Sequence, residues 1–252
     1  MKTDFPSVHH MGQQRDLWQN AFGDTDAFLD CFFRTAYAPD RCRCILDGDR
    51  IAAILYWIDC ELLGRKLAYI YAVVTHPDCR GKGLCRMLME DTHALLRSRS
   101  YAGALLVPQQ EGLRKMYSGM GYHNVGGLTC FSCTAGEEPL PLRAVGAAEF
   151  AALRRTLLPE NSVIQEEKGL DFLAQQLQFY AGANFLLAAY GENGILSVPE
   201  LLGDASAAPG ILKALGYSQG NFRIPGSSIP FAMFHPLTDT AISPSYFGFA
   251  FD

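Results

Sequence analysis

The chain has 252 residues, 49% of them hydrophobic and 19% charged, with a formal net charge of −5. That mix is ordinary for a globular protein, and the acidic balance argues against broad nucleic-acid affinity. The longest apolar run, residues 51–58, is far short of the ~20 residues a membrane-spanning helix needs. The first residues lack the apolar core of a signal peptide, so a soluble, cytoplasmic protein with no membrane partner is expected.

The charge is uneven. Residues 1–136 hold 15 Lys/Arg against 14 Asp/Glu, a net of +1, whereas residues 137–252 hold 6 against 12, a net of −6. The first part can host an anionic cofactor; the second would repel one and attract a cationic substrate. Of the eight cysteines, Cys42 and Cys44 with Cys130 and Cys133 could in number supply four zinc ligands. Their spacings fall on strands, however, where residues two apart share a face and residues three apart do not. Free thiols and no metal are therefore expected.

In chain order, helices are expected at residues 13–22 and 25–37, the second capped by Asp24 or Thr25. Asp47-Gly48-Asp49 reads as a hairpin turn between strands 42–46 and 50–59, and Leu63-Gly64-Arg65 as a second turn leading to a strand at 66–75. A helix at 82–97 follows, with Leu84, Met87, Leu88, Asp91 and Leu95 on or around one face. Then come a strand at 102–107, a helix at 111–119 and a strand at 122–132. Glu137-Glu138-Pro139-Leu140-Pro141 is the best domain boundary, dividing the chain into 1–136 and 137–252. Beyond it, helices are expected at 147–158, 169–180 and 207–215, and strands at 185–190, 194–202, 221–224, 229–234 and 245–251. The order of elements after the boundary repeats the order before it, which fits either an internal duplication or a single larger α/β sheet.

The chemistry concentrates between residues 69 and 122. A strand, a turn carrying Gly81 and Gly83, and a helix start make a pyrophosphate cradle. Backbone N–H groups at a helix start converge on the anion, the glycines let the backbone approach, and Arg80 and Lys82 add positive charge.

This segment resembles the GNAT superfamily of acyl-CoA-dependent N-acyltransferases. Arg80, Gly83 and Cys85 stand at the three fixed positions of its Arg/Gln-x-x-Gly-x-Gly/Ala signature, with Cys85 a small departure. Tyr117, Gly121 and Tyr122 match its later Tyr-x-x-x-Gly-Phe/Tyr element. The resemblance spans about residues 12–135. It implies a mixed, mostly antiparallel α/β (α+β) sheet flanked by helices. It also implies that backbone groups of Val73, Val74 and Thr75 pair with the pantetheine arm and acetyl carbonyl of acetyl-CoA. The turn and helix start, Arg80, Gly81, Lys82, Gly83, Leu84 and Cys85 with Arg86, would hold the pyrophosphate. Tyr117 would protonate the leaving thiolate, a task open to a phenol that is neutral at pH 7.

The expected reaction is acetyl transfer from acetyl-CoA to a primary amine on a small molecule or peptide, by direct attack, with Cys79 and Cys85 not acting as nucleophiles. Glu61 and Glu111 are candidate bases for the amine, His76 and His123 lie near the site in sequence but read as structural, and water is an alternative. A non-catalytic acyl-CoA-binding protein and a transferase of longer acyl groups are the rival readings, and self-association into a homo-oligomer is left open. The turn at residues 203–210 lacks the basic residues and paired glycines, and Asp204 would repel pyrophosphate. The arrangement resembles tandem GNAT proteins, including the enhanced intracellular survival type, whose second half is degenerate. That resemblance extends to the chain's terminal carboxylate, here Asp252, as a base.

Overall fold

The computed structural model describes residues 1–165, 168–240 and 242–250. They divide into two compact units that do not follow a single cut in the chain. Unit 1 comprises Met1–Leu106, Gly112–His123 and Phe234–Ile242; unit 2 comprises Val107–Glu111, Asn124–Met233 and Ser243–Asp252.

Unit 1 opens with β1 (Lys2–Asp4), α1 (Met11–Phe22) and α2 (Asp26–Thr35). Gly23 ends α1 in the left-handed conformation, φ 76°, and the Thr25 hydroxyl caps α2 by accepting from the Phe28 amide at 3.2 Å. Next come β2 (Cys42–Asp47), β3 (Arg50–Leu62), β4 (Arg65–Thr75), α3 (Leu84–Ser98), β5 (Gly103–Leu106) and α4 (Glu111–Ser118). The strands lie in the order β1-β2-β3-β4-β5. All neighbours run antiparallel except β4 and β5, which run parallel. Leu63 and Gly64 both take positive φ, 53° and 73°, the pattern of a two-residue turn that matches strand twist. β3 is buried almost throughout, with Tyr56 and Trp57 each 1% exposed. The buried face of α3 is Leu84, Leu88, Met89, Thr92, His93 and Leu96. Met87, expected on or around that face, is exposed.

Unit 2 holds β6 (His123–Thr134, from Asn124), β7 (Leu142–Val145), α5 (Ala147–Leu157), α6 (Lys168–Gln176), β8 (Gln178–Gly182), β9 (Phe185–Glu192), β10 (Ile195–Gly203), α7 (Ala208–Leu215), β11 (Gln219–Pro225) and most of β12 (Ile229–Pro236). Its sheet runs β6-β11-β10-β9-β8-β7, antiparallel except for β10 with β11. Leu187, Val198, Ile211, Leu212 and Phe222 are among its core residues. Asn193 and Gly194 form the β9–β10 turn with φ of 50° and 79°. Buried Arg154 donates to Glu200 from Nε at 2.7 Å and from a terminal nitrogen at 2.8 Å, and the Tyr246 hydroxyl donates to the same carboxylate at 2.9 Å.

Thus the sheets are mixed and mostly antiparallel, with helices flanking them, as expected. Three expectations need correction. The helix expected at 169–180 stops at Gln176, and Gln178–Gly182 pairs with β9 as a strand. The short strands β1 and β7 were not foreseen. The strand expected at 245–251 is irregular through residue 250 apart from one bridge, Ser162↔Tyr246; its last residue is not described, and neither is Asp252. Among the described residues no helix is long and apolar enough to cross a membrane.

Candidate active site

The site begins with a fault in β4. Tyr71 pairs with Tyr56 and Val74 with Ile54, so Ala72 and Val73 together oppose Leu55. This is a β-bulge, and Ala72 takes φ 48° within it. On the other side of β4, the ladder to β5 runs only from Leu67↔Gly103 to Tyr69↔Leu105. β4 continues for six residues beyond Tyr69, whereas β5 ends at Leu106, so the ladder has ended before the bulge. Main-chain groups around Val73 are turned away from regular pairing, and a ligand with amide groups can meet them as an added strand would. Val74 and Thr75 pair with β3 through Ile54 and Ala53, and Val74 is buried at 5% exposure.

The turn after β4 is held from within. His76 Nδ1 accepts from the Asp78 amide at 3.3 Å, and Arg50 donates to Asp78 at 2.7 Å and to the His76 ring at 2.9 Å. Arg80 Nε donates to the Thr75 carbonyl at 3.3 Å, and Lys82 Nζ to the Asp78 carbonyl at 3.0 Å. Gly81 and Gly83 both take φ 74°, and a Cβ at either would meet open space. Gly83 is the N-cap of α3, with no side-chain cap and no acidic residue in the first turn. The first amides of the helix, beginning at Leu84 and Cys85, therefore point outward uncapped, beside Arg80 and Lys82. Leu84 is buried and offers only its backbone; Cys85 is half-buried, and burial pushes its thiol up. Arg86 donates to the Gly119 carbonyl at 3.0 Å, tying the start of α3 to the end of α4.

Tyr117 is the buried residue of α4. Burial first, and the neighbouring Cys85 second, push its phenol well above its ordinary value. Its hydroxyl makes no hydrogen bond among the described residues. Its ring meets that of Tyr122 edge-on at 5.8 Å.

The candidate bases fare differently. Glu61 pairs with Lys66, whereas the bulge lies at Ala72 and Val73, so Glu61 sits toward the far end of β4, about 20 Å from the bulge at ~3.3 Å per residue. It accepts from the Gly64 amide in the β3–β4 turn and is not a base for this site. His76 serves the turn. Glu111 is exposed at the first turn of α4, and His123 is exposed at the start of β6. Arg50 was not foreseen: it is distant in sequence from the turn it braces, and only the β3–β4 register brings it there.

In unit 2 a strand irregularity is followed by a turn without paired glycines or basic residues. β10 shifts register between Ser197 and Glu200, and its parallel ladder to β11 ends at Val198↔Phe222. In the following turn Asp204 accepts from the amide and hydroxyl of Ser206, and Pro209 removes one donor from the start of α7. The segment before β7 covers that helix: the Gly136 amide donates to Pro209 and the Leu140 amide to Gly210.

The acetyltransferase (GNAT) domain model matches residues 8–125. Among solved structures, a GCN5-related N-acetyltransferase from Kribbella flavida aligns with a TM-score of 0.72 at 17% identity, covering 94% of this chain and 72% of that one. Eis1 from Mycobacterium abscessus aligns at 0.67 and 11% identity, covering 94% and 74%. A tandem GNAT protein from the clavulanic acid biosynthesis pathway aligns at 0.58 and 12% identity, covering 95% and 100%. At these identities the likeness is one of fold. No curated protein matches the sequence.

Proposed function

From the match of residues 8–125 to the acetyltransferase (GNAT) domain model and the geometry of the site, we propose that this protein moves an acetyl group from acetyl-CoA to a primary amine by direct attack, with Tyr117 as general acid. The observation that carries the reading is the Ala72–Val73 bulge in the part of β4 beyond its ladder to β5, followed by a turn that ends in the uncapped start of α3. The backbone of Val73, Val74 and Thr75 holds the pantetheine arm and orients the acetyl carbonyl. The turn from Arg80 through Gly81, Lys82, Gly83 and Leu84 to Cys85, with Arg86, holds the pyrophosphate.

In the reaction the neutral amine attacks the acetyl carbon, the C–N bond forms and the carbonyl oxygen takes the negative charge. Collapse reforms the carbonyl and breaks the C–S bond. Tyr117, kept neutral by burial, gives its proton to the departing sulfur, the ammonium product loses one to water, and tyrosinate is reprotonated from solvent. The acceptor is an amine on a small molecule or peptide. Unit 2 is a degenerate copy of the same fold that binds no cofactor, because Asp204 and Pro209 oppose an anion where unit 1 welcomes one.

The test is chromatographic measurement of CoA released from acetyl-CoA across a panel of amines. Tyr117→Phe is expected to lower kcat about 100-fold with little change in KM for acetyl-CoA. Unchanged kcat would remove Tyr117 from the mechanism. CoA binding without turnover on any amine would mark a binding protein instead.

A further inference from the structure

We propose that His9, His10 and Asp49 form a binding site for a divalent transition-metal ion of the zinc type, outside the residues assigned to acyl-CoA. A single 3-10 turn, Val8–His10, places the two adjacent imidazoles with ring centroids 4.0 Å apart. Asp49 stands in the two-residue turn between β2 and β3. Both rings aim the same nitrogen at one carboxylate oxygen: His9 Nε2 lies 2.9 Å and His10 Nε2 3.2 Å from Asp49 Oδ1.

The three donor atoms lie within 4.8 Å of one another. A tetrahedral ion with bonds of about 2.0–2.1 Å separates its ligand atoms by roughly 3.3 Å. Two of the three edges are thus already near their final length. Closing the third needs only side-chain rotation, since His9 and Asp49 are largely exposed, at 62% and 80%, while His10 is fixed at 4%.

The surroundings are those of a ligand set. A histidine bound through Nε2 carries its proton on Nδ1 and needs an acceptor there. The Ser7 hydroxyl lies 2.9 Å from His9 Nδ1 and 2.9 Å from His10 Nδ1. Its two lone pairs can accept from both rings at once. The Ser7 amide also donates to His10 Nδ1 at 3.1 Å; coordination through Nε2 would exchange that bond for the one His10 Nδ1–H gives to the Ser7 hydroxyl. Gln13 holds the hairpin in place, donating to the Asp49 carbonyl at 2.9 Å and accepting from the Ile51 amide at 2.8 Å.

The donor set selects the ion. Two imidazole nitrogens and one carboxylate oxygen suit zinc and its neighbours, whereas calcium and magnesium take oxygen ligands and softer ions favour thiolate. Water completes the coordination. The ion would clip the turn before α1 to the β2–β3 hairpin, so binding would stabilise the folded protein by mass action.

The experiment uses full-length, tag-free protein stripped with a chelator, titrated with zinc chloride by calorimetry and followed by Tm. Cobalt absorption separates nitrogen and oxygen ligation from binding at cysteine. The expected result is one zinc per chain with a raised Tm, a cobalt spectrum without thiolate charge transfer, and binding at least about tenfold weaker in both His9→Gln and Asp49→Asn. These two are surface substitutions, so the test does not depend on whether the buried His10 tolerates replacement. Zinc affinity unchanged in both variants, a thiolate spectrum, or no binding by the wild type would overturn the site.

Discussion

His93 Nε2 and the Tyr122 hydroxyl form a 2.8 Å hydrogen bond in the interior of unit 1, and the Tyr122 ring in turn stands edge-on to Tyr117. His235 stacks on His93 with centroids 4.4 Å apart. Its Nδ1–H donates to the Gly121 carbonyl, and its Nε2 accepts from Arg97. The residue beneath the proposed proton donor is therefore held by a histidine pair, one member of which arrives from the far end of the chain.

That pair sets an acid limit on stability. Burial first, then His235 and Arg97, push His93 from 6.5 down to about 3. A histidine whose folded value is depressed favours the folded state above its unfolded value. The contribution is lost as pH falls from about 6.5 toward 3, with a limiting slope of ~1.4 kcal/mol per pH unit for one proton. Urea denaturation between pH 7 and pH 4 should show His93→Gln losing less stability than wild type over that range. Parallel curves would show that His93 is not the group responsible.

The cradle makes a separable prediction. Gly83→Glu puts a carboxylate into the open space over the start of α3 and should weaken CoA binding by about 100-fold or more. Gly48→Glu carries a similar backbone penalty, since Gly48 also has positive φ, 63°, and open space around it, but sits in the β2–β3 turn. It should lose comparable stability and leave CoA affinity unchanged. Calorimetry on the wild type should give one CoA per chain; two would show that unit 2 retains a site.

In unit 2 the Arg154–Glu200 pair is almost fully buried, at 2% and 1% exposure. Arg154→Met leaves the Glu200 carboxylate uncompensated and should cost about 3–5 kcal/mol. Tyr246→Phe removes one hydrogen bond to the same carboxylate and should cost about 1–3 kcal/mol. Chemical denaturation of both variants checks the order; a larger loss for Tyr246→Phe would reverse this account.

Most of unit 1 was legible because its signals are local. Thr25 caps α2, Leu63-Gly64 turns β3 into β4, and Gly83 opens α3, each through contacts within a few residues. The positive-φ glycines of the turn at residues 80–83 were readable for the same reason. The failures share the opposite cause. Residues 178–182 continue an apolar helical pattern, yet β9 supplies a partner ladder that outweighs it. Glu61 was a candidate base, but the antiparallel β3–β4 hairpin carries it toward the other end of the strand.

By itself the sequence determined most helices and hairpins, the glycines whose φ the turns require, and the order Arg80, Gly83, Tyr117 on which the resemblance to the GNAT superfamily rests. Only the tertiary structure decided where the ladder between β4 and β5 ends, which arginine braces the turn, and that Phe234–Ile242 completes unit 1. Propensity and capping act over one turn of chain, whereas strand register and burial are set by partners tens of residues away, whose choice depends on the whole packed core.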